Sequence, residues 1–211
     1  MLKIYEHKNK KMEFLGSHNS WSYLRPRRWW MRLIAFAARC QRVDIREQYL
    51  KYGVRCFDLR VRFNDKGGPI IAHGVVEYGD MSRSIWDDMK WIDVKGDCYV
   101  RVIHEARTSY QYLGQELQGY NVDRFKLLAK VIEKTYPNIK FWCGRNLYDW
   151  KVDYQFEGED PTCEETYGSV VPGKKWLYGW WPWLYAVTHN KQIKAKGTDK
   201  DILLIDYVDV G

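Results

Sequence analysis

Short apolar runs bounded by turn-forming residues recur along the chain: Phe14 to Leu15 before Gly16, Cys56 to Phe63, Pro69 to Ala72, Cys98 to His104, Ile139 to Cys143 and Ile202 to Val208. Each is short enough, and bounded sharply enough, to read as a strand. Between them the apolar positions change to helical spacing, in Ser82 to Trp91 and in Asn121 to Tyr136. In the second, Val122, Phe125, Leu128, Ala129 and Ile132 share one face and Pro137 stands just past the end. Strands that are apolar throughout, rather than alternately, are buried on both faces. Strand and helix in alternation therefore predict a mostly parallel α/β sheet or barrel. No internal repeat interrupts this order. Glu157 to Glu165, acidic and holding Gly158 and Pro161, reads as a surface loop. Residues 174 to 185, KKWLYGWWPWLY, hold five aromatics in their first ten positions. Such a group is costly to leave in water, so it is expected in a core or at an interface.

Composition narrows the class. With 211 residues, 45% hydrophobic and 29% charged, the chain can bury one sizeable core, and a single domain over residues 1 to 211 is expected. It is not disordered, collagenous or a disulfide mini-protein. Its longest apolar run, Leu33 to Ala38 after Trp29, Trp30 and Met31, is broken by Arg32 and falls far short of a membrane span. The start, MLKIYEHKNKKMEF, lacks the apolar core of a secretory signal, so a cytoplasmic or peripheral membrane location is expected. The five cysteines (Cys40, Cys56, Cys98, Cys143, Cys163) are scattered without a CxxC pair and read as buried thiols.

The net charge of +7 is concentrated: residues 1 to 55 carry 13 Lys and Arg against 4 Asp and Glu. Arg25, Arg27 and Arg28 adjoin Trp29 and Trp30, and Arg32 and Arg39 punctuate an apolar stretch expected to form one amphipathic helix. Such a helix suits an anionic lipid surface. A helix packed on the domain with solvated arginines, or a basic and aromatic nucleic-acid surface, would carry the same composition.

Two of the five histidines follow apolar strands directly: His18 in Leu15-Gly-Ser-His-Asn-Ser20 and His73 in Ile70-Ile-Ala-His-Gly74. In a parallel barrel the C-terminal strand ends line the catalytic mouth, so such a pair can converge as general base and general acid. Between them, Asp58 and Arg60 stand two apart on one strand and project from the same face. A guanidinium grips phosphate oxygens bidentately and a carboxylate fixes its orientation, which suits phosphoryl chemistry. A buried salt bridge bracing the sheet would use the same two residues. Asp206, ending Ile202-Leu-Leu-Ile-Asp206, is a further strand-end carboxylate able to hold a histidine tautomer.

These stretches, Gly16-Ser-His-Asn-Ser20, then Ile45 to Arg60, then Ala72-His-Gly74, resemble the catalytic region of phosphatidylinositol-specific phospholipase C, the X-domain family, and its bacterial calcium-independent type most. The resemblance covers residues 12 to 80, and the closing strand fits it. It implies a distorted TIM-type (β/α) barrel, here with a short C-terminus and no closing helix. It also implies cleavage of a phosphodiester by a neighbouring hydroxyl, through a cyclic phosphate. In its terms His18 is the base, Asp206 its orienting partner, His73 the acid, and Asp58 steers Arg60. Arg60 stands where calcium-dependent relatives place a metal-ligating acid, so neither a metal nor another cofactor is expected. One fixed guanidinium supplies the charge a cation would bring. Asn19 departs from the pattern, because calcium-independent members carry Asp there; it is expected to accept from Arg60 or donate to phosphate. By position, His104 (or its neighbour Glu105), Arg145 and Asp153 resemble contacts to the headgroup.

The family also touches membranes through apolar residues on the barrel rim, and Trp29, Trp30, Trp180, Trp181 and Trp183 fall in the corresponding places. Trp favours the membrane interface and the adjacent Arg and Lys attract anionic lipid. The expected partners are a phospholipid or other phosphodiester and a peripheral membrane surface, with no nucleic acid; the oligomeric state is left open. Two rival readings stand beside this one. A glycerophosphodiester-type enzyme on the same barrel would need an acidic metal cluster that Arg60 displaces. A catalytically silent barrel would use its aromatic clusters for lipid, protein or structural contacts.

Overall fold

The computed structural model describes residues 14–64, 66–80, 83–105, 120–142 and 161–211. Among the described residues eight strands form one sheet: β1 (Phe14–Ser17), β2 (Val54–Phe63), β3 (Pro69–His73), β4 (Val76–Asp80), β5 (Tyr99–His104), β6 (Lys140–Trp142), β7 (Cys163–Thr166) and β8 (Ile202–Ile205). Parallel pairing runs β6, β5, β2, β1, β8, β7, so the first strand sits in the middle with the last beside it. The curved, mostly parallel α/β sheet is that of a distorted TIM-type barrel.

One antiparallel feature breaks the parallel rule. The C-terminal part of β2 turns back into β3, with Val61 opposite Ile71 and Phe63 opposite Pro69. Val61 also pairs with His104 of β5, so β3 takes the other edge of β2, the edge that β1 occupies lower down. β4 then pairs with β3 and completes a hairpin. His73 is thus brought to the mouth by a strand running against the barrel, not by a parallel one as the sequence pattern implied.

The helices are α1 (Met31–Ile34), α2 (Ile45–Tyr52), α3 (Arg83–Lys95), α4 (Tyr120–Thr135), α5 (Lys175–Tyr178) and α6 (Pro182–Lys196). α2 shows why its ends fall where they do. The Asp44 side chain accepts the Glu47 N–H at 2.9 Å, and Gly53 closes the helix in the left-handed region at φ 73°. α3 and α4 bury Ile85, Met89 and Ile92, and Phe125, Ala129 and Ile132, against the outer faces of β2 and β5. The basic apolar stretch expected as one amphipathic helix is shorter: one turn of α1 followed by a 3-10 turn, Ala35–Ala37.

The inner face is a ladder of period 2. At its base Cys56, Tyr99, Trp142, Ile202 and Leu204 form an apolar plug, with Phe14 and Cys163 packed on it. Gly16 is glycine because a Cβ there would lie 2.8 Å from the Leu204 side chain. One step up, two residues along each strand, the inner positions become Asp58, Arg101 and Glu165; another step brings Arg60 and Asp206. Glu165 belongs to β7, so the acidic stretch expected as a loop ends in a strand of the barrel. Its inward carboxylate is neutralised there by Arg101.

Candidate active site

At the bottom of the mouth Asp58 is fully buried and holds two guanidinium groups: Arg60 Nε donates to Oδ2 at 2.8 Å and Arg101 Nε to Oδ1 at 2.9 Å. The backbone N–H of Asn19 adds a third donor at 2.9 Å. Burial alone would raise the Asp58 pKa, but Arg101 and Arg60 overcome it and hold this carboxyl well below the usual range. Arg101 reaches on to Glu165, which accepts in turn from the Tyr167 hydroxyl. Arg60 Nη1 donates to Glu105 at 3.2 Å, and Glu105 accepts the Gly74 N–H at 2.7 Å. One chain of charged hydrogen bonds therefore ties β2, β5 and β7 to the turn after His73.

His18 continues from β1, its N–H bonded to Ile205 O at 2.9 Å. Its Nδ1 lies 2.6 Å from Asp206 Oδ1, and both side chains are buried. Burial drives both partners toward their neutral forms. The His18 pKa falls well below the ordinary value, with Arg60 and His73 adding to the fall, and that of Asp206 is pushed up to about 8. His18 stacks on Tyr167 with ring centres 3.9 Å apart, and its Nε2 makes no hydrogen bond to the described residues. Gln41 ties this end of the barrel together, donating to His18 O at 3.1 Å and Ile205 O at 3.0 Å.

His73 stands edge-on to His18, ring centres 5.2 Å apart. Its Nδ1 bonds Ala38 O at 2.7 Å and lies 3.5 Å from Cys40 Sγ. Burial lowers its pKa and Glu105 partly offsets this. Cys40 is itself buried, which pushes its thiol pKa well up. A cavity of about 670 Å³ is lined by His18, Cys40, Arg60, His73, Glu105 and Asp206, together with Tyr167 and Trp180.

The structure thus brings His18, His73, Asp58, Arg60 and Asp206 into one site. It places the others differently. The Asn19 carboxamide is buried without a hydrogen-bond partner among the described residues, so the bond expected from Arg60 is not made; Arg60 is taken by Asp58 and Glu105. His104 turns away from the cavity and packs between Phe63 and Phe125, with ring centres at 6.0 and 6.3 Å. Glu105 lines the cavity instead. Strand alternation carries that signal: Arg101 pairs with Asp58 in register, so positions 101, 103 and 105 face inward and 104 outward. Arg145 and Asp153 lie outside the described residues. Arg101, Glu165, Tyr167 and Cys40 join the site without having been singled out in the sequence as site residues.

Above the cavity the two tryptophan-rich stretches meet, Phe36 lying 6.1 Å from Trp181. Trp29 (72%), Trp180 (66%) and Trp176 (73%) are exposed, and Trp30, Trp181 and Trp183 are at least 40% exposed. These side chains are not core. Arg25, Arg32 and Arg39 share a neighbouring cleft with Trp181 and Trp183. No helix among the described residues is long and apolar enough to cross a membrane.

The fold matches that of solved bacterial phospholipases. A phosphatidylinositol-specific phospholipase C from Listeria monocytogenes superposes with a TM-score of 0.60 at 14% identity, over 94% of this chain and 89% of that one. The F249X mutant of a phosphatidylinositol-specific phospholipase C from Staphylococcus aureus gives 0.52 at 16% identity, over 94% and 87%. At such identities the likeness is one of fold. No protein-family model and no curated protein matches the chain.

Proposed function

We propose that this protein is a metal-independent phosphodiesterase of the phosphatidylinositol-specific phospholipase C type, acting on an inositol phospholipid at a membrane surface. The observation that carries the reading is the pair of imidazoles 5.2 Å apart beside Arg60 in one open cavity. His18 Nε2 takes the proton of a headgroup hydroxyl next to the phosphodiester. That oxygen attacks phosphorus, forming a cyclic phosphate, as the bond to the lipid oxygen breaks. His73 gives its proton to the departing oxygen. Burial favours the neutral form of His73, Glu105 opposes it, and an anionic phosphate in the cavity would favour the protonated form further. Arg60, oriented by Asp58, meets the charge that develops on the phosphoryl oxygens. Asp206 holds Nδ1 of His18 and supports the imidazolium while it exists. Asn19, buried and without a carboxamide partner among the described residues, is a second donor for phosphate. By position, Arg145 and Asp153 contact the headgroup.

The exposed rim favours a lipid source for the diester. Trp29, Trp30, Trp180, Trp181 and Trp183, with the arginines beside them, seat the mouth on an anionic bilayer, so that the substrate enters without leaving the membrane. The test is release of cyclic phosphate from phosphatidylinositol vesicles, with and without EDTA, by the protein and its His18→Ala variant. Product that resists EDTA and needs His18 supports the reading. EDTA-sensitive product overturns its metal-free part, and no product from any diester favours a silent barrel.

A further inference from the structure

The site contains a thiol that the proposed reaction does not use. Cys40 lies in the turn after the Ala35–Ala37 segment, its N–H bonded to Ser22 Oγ at 3.0 Å and its carbonyl to the Tyr207 N–H at 2.6 Å. Those bonds fix its sulfur beside both histidines. One ligand atom each from His18, Cys40 and His73 lies within 4.8 Å of the other two. Cys40 Sγ lies 3.5 Å from His73 Nδ1, the nitrogen whose N–H the Ala38 carbonyl accepts, so the sulfur is beside the ring while Nε2 is the nitrogen left to ligate. A tetrahedral ion with bonds of about 2.0–2.3 Å needs ligands about 3.3–3.8 Å apart, so closing on an ion takes side-chain movements of roughly 1 Å.

The surrounding hydrogen bonds already prepare the two imidazoles as ligands. Asp206 holds Nδ1 of His18, and the Ala38 carbonyl holds Nδ1 of His73. A carboxylate or carbonyl on one ring nitrogen leaves the other free to ligate, the arrangement typical of metal-binding histidines. His18 Nε2 is that other nitrogen, buried at the cavity wall with no partner among the described residues. Besides Arg60, the cavity is lined by the carboxylates of Glu105 and Glu165 and by the Asp206 carboxyl, so an arriving dication is not repelled overall. Arg60 is itself engaged by Asp58 and Glu105.

We propose that His18, Cys40 and His73 form a three-ligand site for a soft divalent cation of the zinc class, and that its occupation switches the enzyme off. A thiolate and two imidazoles select zinc or cobalt over magnesium and calcium. Binding displaces the thiol proton to solvent, forms the metal–sulfur bond and takes up the lone pair of His18 Nε2. The base and the acid are lost together, and the fourth coordination position faces the cavity. The inhibitory effect rests on the proposed phosphodiesterase reading; the metal site itself does not.

Cobalt(II) added to the metal-free protein reads the site directly. One equivalent is expected to give a thiolate-to-cobalt charge-transfer band and the intense visible bands of a four-coordinate ion, both abolished by zinc. Cys40→Ser removes the charge-transfer band, His73→Ala weakens binding, and Asp206→Asn lowers affinity roughly 10–100-fold through the lost partner of His18. Circular dichroism confirms that each variant is folded, and His73→Ala, at a partly exposed position, covers the case in which the Cys40 variant is not. Absence of the band in the wild type, or its persistence in folded Cys40→Ser, overturns the site. Zinc is expected to inhibit wild-type turnover and EDTA to restore it. A normal band in a protein that cleaves no diester keeps the site and removes the reading of function. An active protein with no band does the reverse.

Discussion

The floor of the mouth and its rim are built on opposite principles. On the floor, Asp58, Arg60, Arg101 and Glu105 are charged groups withdrawn from water, Glu165 is partly so, and each has at least two partners. On the rim, Trp29, Trp176 and Trp180 are large apolar groups left in water, with few partners among the described residues. Buried ions are tolerated when their charge is paired, and the pairing restricts where the side chains can lie. Exposed tryptophan costs solvation and fixes nothing until something covers it. The floor is therefore held in place in the free protein by its own ion pairs, whereas the rim leaves apolar side chains in water.

The comparison breaks first, and most severely, at the histidines. His18→Ala and His73→Ala are each expected to lower kcat/KM by about 10²–10⁴-fold while leaving the melting transition in place, as turnover and circular dichroism would show. If either variant retains full turnover, the floor is not the catalytic site. Next comes Asp58→Asn, which leaves Arg60 and Arg101 buried with a neutral partner. A loss of about 3–5 kcal/mol in urea unfolding is expected. The pH dependence follows from the sign of the shift. The Asp58 pKa is depressed in the fold, so its stabilisation is complete above the unfolded value of about 3.9 and is lost as pH falls below it. The wild type should therefore lose more stability than Asp58→Asn between neutral pH and pH about 3.

A smaller effect sharpens the other side. The double variant Trp29→Ala/Trp181→Ala is expected to weaken binding to anionic vesicles by about 10-fold in a sedimentation assay, while turnover of a water-soluble diester is retained. Equal loss on both substrates would make the rim part of the floor. Subtlest is the titration of the His18–Asp206 pair. Burial pushes Asp206 up to about 8, so kcat/KM should rise toward that pH as the pair releases its proton. Asp206→Asn leaves a single imidazole already lowered by burial, and the rising limb should move to more acidic pH.

How far the sequence could be read follows from the same contrast. β1, β2, β5 and β8 were legible as short runs rich in apolar residues, which Asp58 and Arg60 interrupt within β2 and which His18 and Asp206 follow directly after β1 and β8. β7 was not, since Cys163–Thr166 carries two consecutive glutamates, and only the distant Arg101 makes an inward carboxylate tolerable at Glu165. β4 was hidden by the turn after His73, where Glu77 sits on a strand whose partner is local. Choosing His104 over Glu105 overlooked the alternation of inner and outer positions set by the register with β2. Cys40 had no signal in its neighbours along the chain. It reaches His73 through the packing of a turn against the mouth, a tertiary fact.

The hairpin of β3 and β4 leads to a different kind of statement. His18 belongs to the central ring of the barrel, paired with strands on both sides, whereas His73 rides on an appendage joined to that ring through the far end of β2. Units attached along one edge open at lower free energy than the body they are attached to. Amide exchange in Pro69–His73 and Val76–Asp80 should therefore be faster than in Ile202–Ile205. With rising denaturant, one of the two imidazoles would leave its post while the body of the sheet still stood, so any turnover that needs both would be lost before the fold.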